Sequence, residues 1–111
     1  MNENDVRIAK TEALFRDVNE RIAETSERFD SEAAEFMCEC GDPACAERLE
    51  VPLDEYEQVR EHATTFLLDP EHVEPSVERV VHHRRGYAIV QKIDRAVARI
   101  VTQLDPRAEP A

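Results

Sequence analysis

All three cysteines of this 111-residue chain fall within eight residues, in the run Cys38-Glu39-Cys40-Gly41-Asp42-Pro43-Ala44-Cys45. Three thiols cannot pair off completely within one chain, and no cysteine elsewhere finishes a disulfide framework. The spacing Cys-x-Cys-x4-Cys, with a turn-forming Gly-Asp-Pro between the second and third thiols, instead lets three sulfurs converge on one metal ion. One structural zinc ion is the expected cofactor, with Cys38, Cys40 and Cys45 as ligands. A chain this short builds only a small core, and a metal whose binding is coupled to folding would stabilise it.

The fourth ligand has to come from further along. Four histidines compete: His62, His72, His82 and His83. His72 is the expected ligand, because it sits in a proline-bounded loop directly after a short apolar strand, where a rigid return to the thiols is easiest. His62 is read near a helix end, where a histidine ordinarily serves the helix terminus. Alternation along a strand sends His82 and His83 to opposite faces, so one of the pair remains an alternative. A carboxylate, water or no metal completes the options. A closed Cys3His set leaves no position for a substrate.

Residues from about Glu3 to Arg28 read as one long amphipathic helix. Ile8, Phe15, Ile22 and Phe29 recur every seven residues, with Val18, Thr11 and Thr25 between them and Leu14 at the margin, and this stripe is the expected packing face. Glu3–Arg7, Glu12–Arg16, Asp17–Arg21 and Glu24–Arg28 are four apart and are expected to pair on the exposed side. Asp30-Ser31 punctuates the chain, and 32–35 reads as one more turn or a frayed continuation. Beyond the thiols, 48–51 alternates like a strand stopped by Pro52. Asp54 is the expected cap of a helix over 55–61, with Glu57 at the capping-box position. A short strand at 65–68 precedes a hairpin over 77–92 that turns at Arg84-Arg85-Gly86, and a terminal helix runs over 94–104.

The fold class is therefore α+β: a long amino-terminal helix, a zinc-knuckle-like cysteine cluster, a small antiparallel sheet of three or four strands with an intervening helix, and a carboxy-terminal helix. One domain is expected overall, with the amphipathic helix at 1–30, a zinc-stabilised body at 31–105 and a loose tail at 106–111.

The run from Phe36 to Arg60, Phe-Met-Cys-Glu-Cys-Gly-Asp-Pro-Ala-Cys-Ala-Glu-Arg-Leu-Glu-Val-Pro-Leu-Asp-Glu-Tyr-Glu-Gln-Val-Arg, resembles the central segment of a group of small, uncharacterised actinobacterial proteins. The likeness extends through Phe66-Leu67-Leu68, His72 and the strand from Tyr87 to Lys92. The stretch from Leu14 to Ile22 is similar to that group's leading helix. The resemblance carries no activity across; it implies a bacterial protein with a shared fold and His72 in the site.

Charge narrows the function classes. The formal net charge is -11, and the first 50 residues hold 14 of the 25 acids against 6 of the 14 bases. A nonspecific nucleic-acid or anionic-membrane surface needs the opposite sign, so nucleic acid is not an expected partner, although Arg84, Arg85, Lys92, Arg95 and Arg99 form one local basic patch. No apolar run approaches a bilayer span and no secretory leader is visible, which gives a soluble cytoplasmic protein with reduced thiols. The leading expectation is a metal-stabilised protein-interaction or regulatory module that uses the acidic helix to meet a protein partner or a second copy. A thiol-based redox or metal sensor is the alternative. An enzyme ranks lower: Glu39 and Asp42 are the carboxylates nearest the thiols but read as solvent-facing, and Ser26, Ser31 and Ser76 lie in no activating motif.

Overall fold

The computed structural model describes residues 3–107. Helix α1, Glu3–Arg28, is followed by strands β1 (Ala33–Met37) and β2 (Arg48–Pro52), helix α2 (Leu53–Val59), strand β3 (Thr65–Leu68), a 3-10 turn (Pro70–His72), strands β4 (Glu78–Arg84) and β5 (Tyr87–Lys92), and helix α3 (Arg95–Gln103). The fold is α+β, with a long amino-terminal helix, antiparallel strands, an intervening helix and a carboxy-terminal helix. Where the sequence reads one sheet, there are two: an antiparallel pair β1-β2 and a three-stranded antiparallel sheet in the order β3-β5-β4. The expected extra turn at 32–35 is instead the start of β1, because Ala34 and Glu35 pair with Val51 and Glu50. Tertiary pairing overrides local helix preference there. Residues 108–111, most of the expected tail, lie outside the described residues. Arg107 is bound, donating to Glu20 and Glu57.

Helix α1 ends where Asp30 takes a positive φ of 53° and the Ser31 amide donates back to the Ser26 carbonyl at 3.0 Å, a left-handed stop that satisfies an otherwise free carbonyl. Its packing face differs from the expected stripe. The side chains turned into the body are Ala9, Glu12, Ala13, Phe15, Arg16, Asn19 and Ala23, a mixture of small and polar groups. A straight helix drifts by about 20° per seven-residue repeat, so the Ile8-Phe15-Ile22-Phe29 stripe winds out of the core. Phe15 is buried, Ile8 and Ile22 are half-buried, and Phe29 is 77% exposed. Leu14 and Val18 also face outward, at 60% and 37%.

Glu12 and Arg16, expected as an exposed pair, are both buried and bind elsewhere. Lys92 donates to Glu12 and Glu78 from a fully buried position, and Arg16 donates to the carbonyls of Ala63, at 2.7 Å, and Thr65. The Arg16 guanidinium lies 3.6 Å from the centre of the Phe66 ring, a cation–π contact strengthened by its burial. Arg60 donates to Glu20 at 2.6 Å and to Asp105. These groups form a charged layer between α1 and the body.

The apolar core lies beneath that layer. It joins Phe36, Leu49 and Val51 of the β1-β2 pair to Phe66, Leu67, Leu68, Ile89 and Val90 of the larger sheet and to Val97 and Val101 of α3. Phe36 stacks on Tyr56 of α2 with ring centres 4.3 Å apart. Helix α2 begins one residue before the expected cap; Pro52 is its N-cap with no side-chain bond, and Asp54 falls inside the first turn. Asp94 caps α3, accepting from the Val97 amide at 3.0 Å. The hairpin turns where expected, between Arg84 and Tyr87, with Gly86 at φ 87°, a value that costs glycine little.

Candidate metal centre

The thiol segment is the loop that joins β1 to β2. The Cys38 amide donates to the Glu47 carbonyl at 3.0 Å, extending the ladder by one rung, and the Cys45 amide donates to the Asp42 carbonyl at 3.0 Å to close the turn. Asp42 fixes that turn from its side chain as well, accepting from the Ala44 amide at 2.9 Å, the local bond that makes Asp a turn residue. Gly41 is required for space: a Cβ there would stand 2.8 Å from Cγ2 of Ile8 on α1. The missing side chain lets the loop lie directly against the helix.

His72 arrives from the other side. Strand β3 ends at Leu68, Asp69 caps the following turn by accepting from the Glu71 amide at 2.9 Å, and Pro70 occupies the first helical position. This rigid turn, with the His72 amide donating to the Asp69 carbonyl at 2.9 Å, carries the imidazole to the thiols. Nδ1 of His72 lies 3.5 Å from the sulfurs of both Cys38 and Cys45. The three sulfurs and one imidazole nitrogen all fall within 4.8 Å of one another.

That set can coordinate a metal ion. A tetrahedral zinc ion with Zn–S near 2.3 Å and Zn–N near 2.0–2.1 Å separates sulfur from nitrogen by about 3.5–3.6 Å, the spacing His72 keeps from two of the three sulfurs. None of the three cysteines is in a disulfide. Backbone amides also point at sulfur: that of Asp69 donates to Cys38 at 3.2 Å, that of Asp42 to Cys40, and that of Glu47 to Cys45. Each bond favours thiolate over thiol. The Cys38 thiol, donating to Cys40, draws Cys40 down to about 5, while the same bond and burial push Cys38 up. Burial raises Cys45.

The other histidines stand apart from the cluster. His82 and His83 are both exposed on β4, just past a bulge between Val80 and His82. His62 lies three residues beyond the end of α2, exposed in a turn. Of the two carboxylates beside the thiols, Asp42 is exposed but Glu39 is not; it is fully buried. Its oxygens accept from the Asn19 side-chain amide at 2.8 Å and the Leu67 amide at 3.0 Å. The expectation of a solvent-facing Glu39 fails because an extended chain alternates its side chains: with Cys38 and Cys40 on one face, the residue between them goes to the other. Asn19 also builds the site and did not stand out in the sequence, and Gly41, read there only as a turn former, also leaves the room that Ile8 fills. Lys92, expected in a basic patch, is buried under α1, and Arg84 is occupied by Glu55 at 2.5 Å.

Comparisons with protein-family models, curated proteins and solved structures give no match to this chain. No homology found ties the cluster to the actinobacterial group. Among the described residues, no helix is long and apolar enough to cross a membrane.

Proposed function

We propose that the chain is a zinc-stapled protein-interaction or regulatory module of the cytoplasm. Cys38, Cys40, Cys45 and His72 hold one structural zinc ion, and the outer face of α1 is its contact surface for a protein partner or a second copy. The observation that supports the metal reading best is the position of His72, whose Nδ1 keeps the tetrahedral spacing from two sulfurs. Four protein donors fill a tetrahedral zinc ion, which favours a structural over a catalytic role. A metal taking all three sulfurs also displaces thiol protons, so uptake falls in acid.

The contact-surface reading draws on Leu14, Val18 and Phe29, large apolar side chains left outside the core on one side of α1. The charges beside Leu14 and Val18 are mixed, Asp17 with Arg21, so the apolar side chains rather than net charge carry the contact.

Mass spectrometry that preserves the folded complex tests the metal, on protein purified under reducing conditions without chelator. One zinc per chain is expected, and a mass matching the bare polypeptide, unchanged by added zinc, refutes the assignment. A sensor role is the second reading, favoured by the half-exposed position of Cys45. Zinc release under mild peroxide would support it; full retention with unreacted thiols would remove it.

A further inference from the structure

The segment Cys38-Glu39-Cys40 is shared between the two sheets. Cys38 continues the β1-β2 ladder through Glu47, while the Glu39 amide donates to the Leu67 carbonyl on the outer edge of β3 at 2.8 Å. Glu39 then completes that edge with its own side chain, accepting from the Leu67 amide at 3.0 Å. Its second oxygen accepts from Asn19 at 2.8 Å. Asn19 cannot turn around to offer its oxygen instead: its Oδ1 accepts from the Met37 amide at 2.7 Å and its Nδ2 donates to the Met37 carbonyl at 2.9 Å. Residue 39 therefore faces two fixed donors and must supply two acceptors. A carboxylate does so, and glutamine does not.

We infer that Glu39 is the positioning residue of the metal centre, anchoring the one residue between Cys38 and Cys40 to α1 and β3 so that both sulfurs are preset toward Cys45 and His72. This rests on the reading of the cluster as a metal site. It also accounts for the Cys-x-Cys step. Two ligands on one face of an extended segment need a single intervening residue, and that residue is free to be the anchor. Groups that orient ligands without touching the metal typically contribute 10–100-fold in affinity.

The test is zinc affinity of the full-length chain by competition with a chromogenic chelator. Glu39→Gln, which sets an amide donor against Asn19 or Leu67, is expected to weaken zinc binding about 10–100-fold. Val97→Ala, a comparably buried change on α3, is expected to lower stability while leaving zinc affinity unchanged. Equal affinities for wild type and Glu39→Gln would overturn the positioning role. Loss of affinity in Val97→Ala to the same degree would also overturn it, as a mere effect of stability. Wild-type protein that takes up no zinc would instead refute the metal reading beneath it. Should Glu39→Gln fail to fold, amide exchange of the wild-type chain decides. The Leu67 amide is expected to stay protected after zinc is removed, and exchange as fast as an exposed amide would show that nothing is preset.

Discussion

The thiol cluster and the charged layer beneath α1 both gather groups far apart in the chain, but they are held by opposite means. The cluster joins soft donors at the edge of the fold, with Cys45 and His72 only half-buried, and its cohesion comes from a shared ion. The layer is dry. Glu12, Glu78 and Lys92 are each at least 96% buried and neutralise one another directly, at a desolvation cost that ion pairing only partly repays. One assembly is stabilised by what it binds, whereas the other is stable only while every partner is present. Glu39 links them, as it lies between two thiols and feels the Arg16 charge.

The largest effect separating the two should come from Cys40→Ser. Structural zinc contributes folding free energy directly, and its loss is expected to cost more than about 5 kcal/mol. The variant is expected to retain no zinc in native mass spectrometry and to unfold at a much lower temperature, as a looser but still folded body.

Lys92→Met cuts the other way. It leaves Glu12 and Glu78 together without their ammonium, and a cost of about 3–5 kcal/mol in urea denaturation is expected. Zinc stoichiometry should stay at that of the wild type. A Lys92→Met chain that loses its zinc while still folded would show the two regions to be one unit.

Titration sharpens the contrast. Burial outweighs the pull of Lys92 and raises Glu12 from 4.5 to about 7. Between those values the folded chain holds a proton that the unfolded chain has released, so this group's contribution is fully present below about pH 4.5 and is lost as pH rises through about 7. The loss is about 3 kcal/mol. Acid acts on the thiols in the opposite sense, by displacing metal. The comparison is therefore wild type against Glu12→Gln, zinc-saturated: the difference in unfolding free energy should shift in favour of the variant from about pH 5 to about pH 8.

The smallest effect is expected on the outer face of α1. Phe29→Ser removes a side chain that is 77% exposed, and its thermal midpoint should match wild type to within the equivalent of about 0.5 kcal/mol. A larger loss would mean that the face is already covered, by a second copy in solution, and sedimentation would then show a dimer.

Much of the fold was legible because local chemistry and periodicity agreed. The turn at Gly86 and the break at Asp30 are each decided by one residue's backbone preference. Strand β1 was not, since Ala33-Ala34-Glu35 has no strand signal of its own and becomes extended only by pairing with 50–52. Helix α1 misled for a geometric reason: a seven-residue stripe marks a face only if the helix supercoils, and a straight one carries it outward.

At the site, residue type and spacing alone pointed to three converging sulfurs, because few other arrangements use three clustered thiols. A histidine in a rigid loop was a natural fourth, and the structure brings His72 to them. What the sequence by itself determined is thus the donor chemistry and the order of helices and strands apart from β1, both written in short-range patterns. Only the tertiary structure decided that Glu39 faces inward, that Lys92 is a buried counter-ion and that Gly41 makes room for Ile8. Each depends on a partner at least 14 residues away in the chain, and no local pattern encodes the approach of distant segments.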